Sequence, residues 1–424
     1  MKYHKTKLSN GLRVITVPMP SLESVTVTVW VGVGSRWEKD DKAGISHFLE
    51  HMVFKGSKKR PTAHDISSAV DSFGGEFNAS TSKEWTNFYI KSSTDNVKKA
   101  FDVLSDMVLN PLIRQEDIDR EKGVIVEEIG MYEDTPRAKV EDHFEQLIYK
   151  GSDLGRDIIG TRKTVKSLMQ KDFVSYRNSH YFGDNMLVTV AGGVTEKQAL
   201  ALVKEYFSGV QKKSKKKVKA ANAKPSGPKI KLVSKENEQA HFILGFLGNP
   251  MGHKDRYVEA VLASVLGGGM SARMFTEVRE KRGLAYAVKT GTEHYVDTGY
   301  MSTYTGVDPK KAEEAIKVVL DQHYGLASEK YPVTDEELTK AKEYLKGHIA
   351  LSLEDTRAVS GFFGAKEILL GKVSTPDEVF EGIEKVSKED VVRVAKEFFV
   401  PERLNLAING PFKDKKNFSK LIKK

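Results

Sequence analysis

The sequence predicts an α+β fold of two homologous domains, each an antiparallel sheet packed with helices, joined by a linker. Three observations carry that prediction. The chain has 424 residues, more than one ordinary core accommodates. Residues 211–228 are lysine-rich and then run Ala-Asn-Ala-Lys-Pro-Ser-Gly-Pro without apolar periodicity, the composition of a connector. On either side of it the same order of elements recurs. The domains are therefore placed at residues 1–210 and 229–424.

In the first half, strands fall at 12–17 and 24–33, the second marked by alternating Val25, Val27, Val29 and Val31. Helical patterns cover 47–54 and 64–73. Strands follow at 76–80 and 86–92, then long helices at 96–109 and 115–132. The second half gives strands at 229–233 and 240–246, helical patterns at 257–266 and 272–281, and strands at 285–290 and 299–305. Helices then run from Pro309 and from Val333 onward. A short tag is shared, Glu133-Asp134-Thr135-Pro136-Arg137 and Glu354-Asp355-Thr356-Arg357. Strands that turn back through short connections, with helices in blocks, give antiparallel sheets.

The net charge of +9 does not describe a basic platform. Lys212, Lys213, Lys215, Lys216, Lys217 and Lys219 crowd one segment, and Lys413, Lys415, Lys416, Lys420, Lys423 and Lys424 crowd the C-terminal tail beside Asp414. Those stretches carry a net +11, leaving about −2 for the rest. Lysine runs of this kind are solvated, flexible segments, so nucleic-acid binding is not predicted. No apolar run has the length of a membrane span. No signal or transit peptide is recognised behind Met1-Lys2-Tyr3-His4-Lys5, which predicts a cytoplasmic protein. With no cysteine, any metal site must use His, Asp or Glu.

The chemistry is concentrated in His47-Phe48-Leu49-Glu50-His51. Histidines four apart share one helical face and can reach one metal ion. Glu50 lies beside them as a base able to take a proton from water, the H-x-x-E-H arrangement of inverzincin peptidases. Zinc in a peptidase takes three protein ligands and leaves a fourth position open. The helix at 115–132 offers Glu121 and Glu128, seven apart on one face, with Glu127 turned about 100° away. On residue type alone, these read equally as solvent-side glutamates.

These motifs resemble the pitrilysin-type M16 zinc peptidases, in the short two-domain subfamily similar to the mitochondrial processing peptidase. The likeness extends to Gly44-Ile45-Ser46, Met52-Val53-Phe54-Lys55-Gly56, Leu154-Gly155-Arg156 and Ile159-Gly160-Thr161. It implies Zn2+ held by His47, His51 and Glu128, Glu121 as a supporting carboxylate, and Glu50 as general base. It also implies that Asn78 and Ala79 bind substrate main chain on an edge strand. From Arg279-Glu280-Lys281-Arg282-Gly283-Leu284-Ala285-Tyr286 it implies Tyr286 as an oxyanion donor and Arg279 as a substrate clamp, with Arg282 the rival arginine. Aligning the two tags sets Ile349 opposite Glu128, so the second half carries no metal site. The family builds a closed chamber from four such domains. A two-domain chain is therefore expected to form a homodimer around unfolded peptides. The competing readings are a non-proteolytic partner subunit and a peptide-binding module of the same fold.

Overall fold

A computed structural model describes residues 1–214, 218–221 and 223–423; Lys215, Lys216, Lys217, Asn222 and Lys424 lie outside them. Eleven strands form two sheets among the described residues. The first sheet contains β1 (His4–Lys7), β2 (Arg13–Pro18), β3 (Ser24–Val31), β4 (Glu76–Thr81), β5 (Thr86–Ser93) and β6 (Met186–Gly192), in the order β1-β2-β6-β3-β5-β4. The second contains β7 (Lys229–Ser234), β8 (Ala240–Gly248), β9 (Ala285–His294), β10 (Gly299–Val307) and β11 (Leu404–Gly410), in the order β7-β11-β8-β10-β9. Apart from β1 the two orders correspond strand for strand, so the repeat expected from sequence is a repeat of topology. Each sheet is antiparallel except for one pair, β2 with β6 and β7 with β11. The last strand of each sheet returns through a helical crossover and so lies parallel to its neighbour, β6 to β2 and β11 to β7.

The chain divides into two compact units that do not follow the sequential halves. One comprises residues 1–129, 156–219 and 351–376, the other 130–155, 220–350 and 377–424. The expected break at 211–228 is thus one of several crossings. The physical reason lies in the two tagged helices, each of which packs on the sheet formed by the other half of the sequence.

In the first unit, one face of the sheet buries Val25, Val27, Val29 and Val31 with Phe88, Ile90, Val188 and Val190. Phe101, Leu104, Val203 and Phe207 cover them from the helices Val97–Leu109 and Glu196–Phe207. The opposite face presents Thr26, Thr28, Trp30 and Thr189, all buried. The helix Thr356–Leu370 lies there. Thr356 meets Thr26 at 2.8 Å, and Ser360 meets Thr28 at 2.7 Å and Thr189 at 2.5 Å. Buried Glu367 pairs with Lys5 at 2.8 Å and Arg13 at 3.1 Å. The Val/Thr alternation therefore marks two different buried faces, apolar and hydroxyl-bearing.

In the second unit the corresponding cover is the helix Pro136–Ile148. Its Val140, Phe144 and Ile148 pack on Ile243, Leu247 and Ala407. Glu145 accepts hydrogen bonds from Tyr295 at 2.5 Å and Tyr300 at 3.1 Å. The C-terminal lysine run, expected to be flexible, is instead helical over Lys416–Ile422, because Phe418 and Ile422 bury one side of it.

Gly364 approaches Trp30 so closely that a Cβ would lie 2.5 Å from the indole, whereas one at Gly361 of the same helix meets nothing within 4 Å. Gly364→Ala is predicted to destabilise the protein by about 1–3 kcal/mol through overpacking. Gly361→Ala is predicted to be neutral or stabilising by up to about 1 kcal/mol. Urea unfolding of both variants checks this, and equal effects would refute the packing argument.

Candidate metal centre

Two helices of the first unit bring the donors together. Ile45–Val53 carries His47, Glu50 and His51, and Gln115–Glu133 carries Glu121 and Glu128. Their apolar faces dock first: Ile45, Phe48, Leu49 and Met52 pack with Ile118, Ile125, Ile129 and Phe173 in one buried cluster. The helical period then sends His47, His51, Glu121 and Glu128 to the other side. Glu127 is exposed.

His47 Nε2 lies 3.7 Å and His51 Nε2 3.6 Å from the two Glu128 oxygens. Among the described residues these three side chains alone form a group of at least three His, Asp or Glu with donor atoms all within 4.8 Å of one another. The separations exceed a hydrogen bond. They approach the edge of a zinc tetrahedron, roughly 3.4 Å for bonds of about 2.0–2.2 Å. Burial, with His51 beside it, pushes the His47 imidazole down to about 3, leaving it neutral with a free lone pair. His47 Nδ1 is buried without a hydrogen-bond partner. His51 differs: its Nδ1 is 2.9 Å from Glu121 Oε1, which fixes the ring with Nε2 toward Glu128. Lys55 Nζ holds the other Glu121 oxygen at 2.6 Å. Burial works against charge on Glu121, but His51 and Lys55 outweigh it and hold its carboxyl below the ordinary range. Burial pushes Glu128 up, opposed by His51 and reinforced by Glu121. Two imidazoles and a carboxyl group, one imidazole braced from behind, suit zinc.

Glu50 is partly buried beside this group. The Thr81 hydroxyl of edge strand β4 donates to its Oε2. Burial pushes the Glu50 carboxyl up, opposed by Thr81 and His51 and reinforced by Glu128. Asn78 is exposed on β4, and its Oδ1 accepts the Ala79 N–H at 2.8 Å, while Ala79 faces inward. Neither Thr81 nor Lys55 was singled out from sequence. The positions of Lys55 and Thr81 beside already recognised motifs were the only available signals.

Arg279 and Tyr286 belong to the second unit. Arg279 lies on the π-helical turn Phe275–Glu280, where helix had been expected over 272–281. Its guanidinium stacks over Phe275 at 4.7 Å and Tyr286 at 4.8 Å, and donates to the Tyr286 carbonyl at 2.9 Å. Arg282 instead binds the Glu277 carboxylate at 2.5 Å. The arginine in contact with Tyr286 is thus Arg279, and the Tyr286 side of β9 is open, with 77% of the residue exposed.

The helix Arg256–Gly267 follows β8 as Ile45–Val53 follows β3, and it carries no histidine. Its Glu259, 1% exposed, accepts from Asn249 at 2.8 Å, and lies 3.7 Å from His294 and 4.0 Å from His253. No group of three donors within 4.8 Å forms there among the described residues.

A helix-borne H-x-x-E-H site on one unit of a two-unit α+β fold defines the class. The chain belongs to peptidase family M16. The family described as Insulinase (Peptidase family M16) matches residues 13–162, and the Peptidase M16 inactive domain matches residues 167–345. An uncharacterized zinc protease of Streptomyces coelicolor is 38% identical, covering 97% of this chain and 90% of the relative. One of Bacillus subtilis is 36% identical, covering 95% and 97%. A solved protease from Helicobacter pylori has a TM-score of 0.90 at 26% identity, covering 97% of this chain and 100% of that one. No helix among the described residues is long and apolar enough to cross a membrane.

Glu259 yields a pH prediction. Burial pushes its carboxyl from 4.5 to about 7, opposed by Asn249 and His253 and reinforced by Asp255 and Glu397. Between those values the folded state binds more protons than the unfolded chain, so stability falls as pH rises through the window. Glu259→Gln escapes that loss. Its Tm relative to wild type is predicted to rise between pH 5 and pH 8. Calorimetry showing a constant difference would remove Glu259 from the pH dependence.

Proposed function

We propose that this chain is a zinc-dependent endopeptidase acting on unstructured peptides. His47, His51 and Glu128 hold Zn2+, and Glu50 is the general base. The reading rests above all on the convergence of three donors beside a partly buried carboxylate that a neighbouring strand orients. Zinc bound there supplies Lewis acidity and activates water at neutral pH. Glu50 takes the proton of the attacking water and passes it to the leaving amine. Glu121, tied to Lys55, keeps the His51 ring oriented. The free edge of β4 accepts an extended peptide through main-chain hydrogen bonds, with Asn78 and Ala79 beside the scissile bond. Tyr286 donates to the developing oxyanion, and Arg279 holds Tyr286 by its carbonyl and ring.

Glu50→Gln is predicted to retain zinc and lose turnover on the order of 10²–10⁴-fold, the range of general-base contributions. Metal analysis and cleavage of a fluorogenic unstructured peptide check this, with chelation abolishing wild-type cleavage and zinc restoring it. Wild-type rates in the variant would overturn the base assignment. A zinc-loaded protein that cleaves nothing in a diverse peptide library would establish the binding or partner-subunit role instead.

Because zinc and oxyanion groups are assigned to different units, the reading extends to a homodimer with a closed chamber, Tyr286 serving the zinc of a second copy. Mixing a Glu50→Gln chain with a Tyr286→Phe chain is then predicted to regain activity that neither has alone. A mixture no more active than its components would rule out sites shared between copies.

A further inference from the structure

The sequence Leu154-Gly155-Arg156 and Ile159-Gly160-Thr161 matched the family, yet none of the chemistry above uses it. In the structure Arg156 and the turn at 159–160 close around the entry to the metal-binding helix. Arg156 donates to the Ser35 carbonyl at 3.0 Å and to Asp40 at 2.6 Å, bracing residues 35–40. Gly44, the N-cap at φ +92°, has no side chain to cap the helix. A Cβ on it would lie 2.5 Å from the Ile159 carbonyl, and one on Gly160 would lie 2.4 Å from the Ala43 carbonyl. Backbone therefore presses on backbone at the helix start.

Between those two supports lies Glu38, 5% exposed. Its Oε2 accepts the Gly44 N–H at 2.7 Å and its Oε1 the Ser46 N–H at 2.8 Å. The Ser46 hydroxyl is in turn bonded to Tyr176 at 2.7 Å. A carboxylate from six residues upstream thus does what an N-cap side chain ordinarily does, with two oxygens rather than one. Ser46 immediately precedes His47, so the pose of this turn sets the direction of the first imidazole. His47 Nδ1 has no hydrogen-bond partner of its own to do so.

We propose that Glu38 is a positioning residue for the metal centre: by gripping the Gly44 and Ser46 N–H groups it sets the rotation of the helix and hence the aim of His47. The inference rests on the zinc reading of His47, His51 and Glu128. In this arrangement His51 is oriented through its ring by Glu121, and His47 through its backbone by Glu38.

The test uses the full-length protein loaded with Co2+, whose visible spectrum reports ligand geometry, and with zinc under chelator competition. Glu38→Gln preserves shape but turns an amide NH2 toward one of the two backbone donors. The expected result is a changed cobalt spectrum, zinc affinity lowered roughly 10–100-fold, the usual range for a lost supporting group, and a fall in kcat with KM unchanged. Glu38→Asp, which keeps the carboxyl group but withdraws it by one methylene, gives the same changes to a smaller degree. It decides the matter if Glu38→Gln does not fold. Asp40→Ala, which touches only the 96%-exposed end of the Arg156 brace, leaves spectrum and affinity unchanged. A folded Glu38 variant with wild-type spectrum and zinc affinity overturns the inference alone. Wild-type protein that takes up neither metal overturns the zinc reading, and this inference with it.

Discussion

Three donor atoms from two helices must meet within a few ångströms, and the first unit is organised around that constraint. A nine-residue helix is too short to be stable on its own in water. It persists because Phe48, Leu49 and Met52 are buried against Ile118 and Ile125. The same docking fixes where the polar faces meet. His47, His51 and Glu128 are left facing one another at distances too long for hydrogen bonds. Burial keeps His47 neutral. The chain therefore holds lone pairs at one point, an arrangement that costs desolvation and is offset when a cation takes the place of water.

The second unit repeats the sheet without repeating the chemistry. Strand order corresponds, and the helix after β8 occupies the place of the helix that carries His47 and His51, yet it offers a buried Glu259 beside Asn249. A duplicated scaffold keeps what its core demands, while its polar positions diverge. The helices that cross between the two sequence halves belong to that conserved demand. Each begins at a Glu-Asp-Thr tag, where Thr135 and Asp355 occupy the N-cap positions. Each covers a sheet face that would otherwise be wet. The tag that revealed the repeat in the sequence thus marks the start of each exchanged helix, although only Asp355 caps with its side chain, accepting from the Arg357 and Ala358 N–H groups, while the Thr135 hydroxyl donates to the Met131 carbonyl.

Most of the candidate site was legible, its spacings from local signals and its third donor, Glu128, through the family resemblance. Spacings of four and seven residues put His47 with His51 and Glu121 with Glu128 before any fold is known. The strands at 24–33 and 86–92 declared themselves by alternation or by β-branched and aromatic content. What escaped reading depends on distant partners. β6 and β11 were not read from the sequence; both lie inside their sheets and are buried throughout, with Asn405 and Asn409 of β11 buried along with its apolar residues. The Thr26/Thr28 face reads as solvent-facing until Thr356 and Ser360 arrive from more than 300 residues away. Glu38 has no local motif, because its partners are backbone groups reached around a turn. The C-terminal lysines read as a solvated tail because two buried apolar residues are too few to give a periodic signal.

The same alternation links substrate docking to proton transfer. On a strand, residues 77, 79 and 81 share one face and 78 and 80 the other. The first face looks toward the helix that carries His47, Glu50 and His51: Phe77 packs on Phe54 with ring centroids 5.6 Å apart, Ala79 is buried, and Thr81 donates to Glu50. The order of the sheet leaves the side of β4 away from β5 without a strand among the described residues. In the proposed reading, a peptide that joins that edge adopts the register of β4. The strand that aligns the scissile bond is then also the strand whose hydroxyl aims the base. A shift of β4 by one residue would turn Thr81 away from Glu50 and move the peptide with it, so misdocked substrate and misaimed base would occur together. On the proposed reading, that coupling lets a main-chain recognition surface, indifferent to side-chain sequence, still restrict cleavage to peptides extended in the correct register.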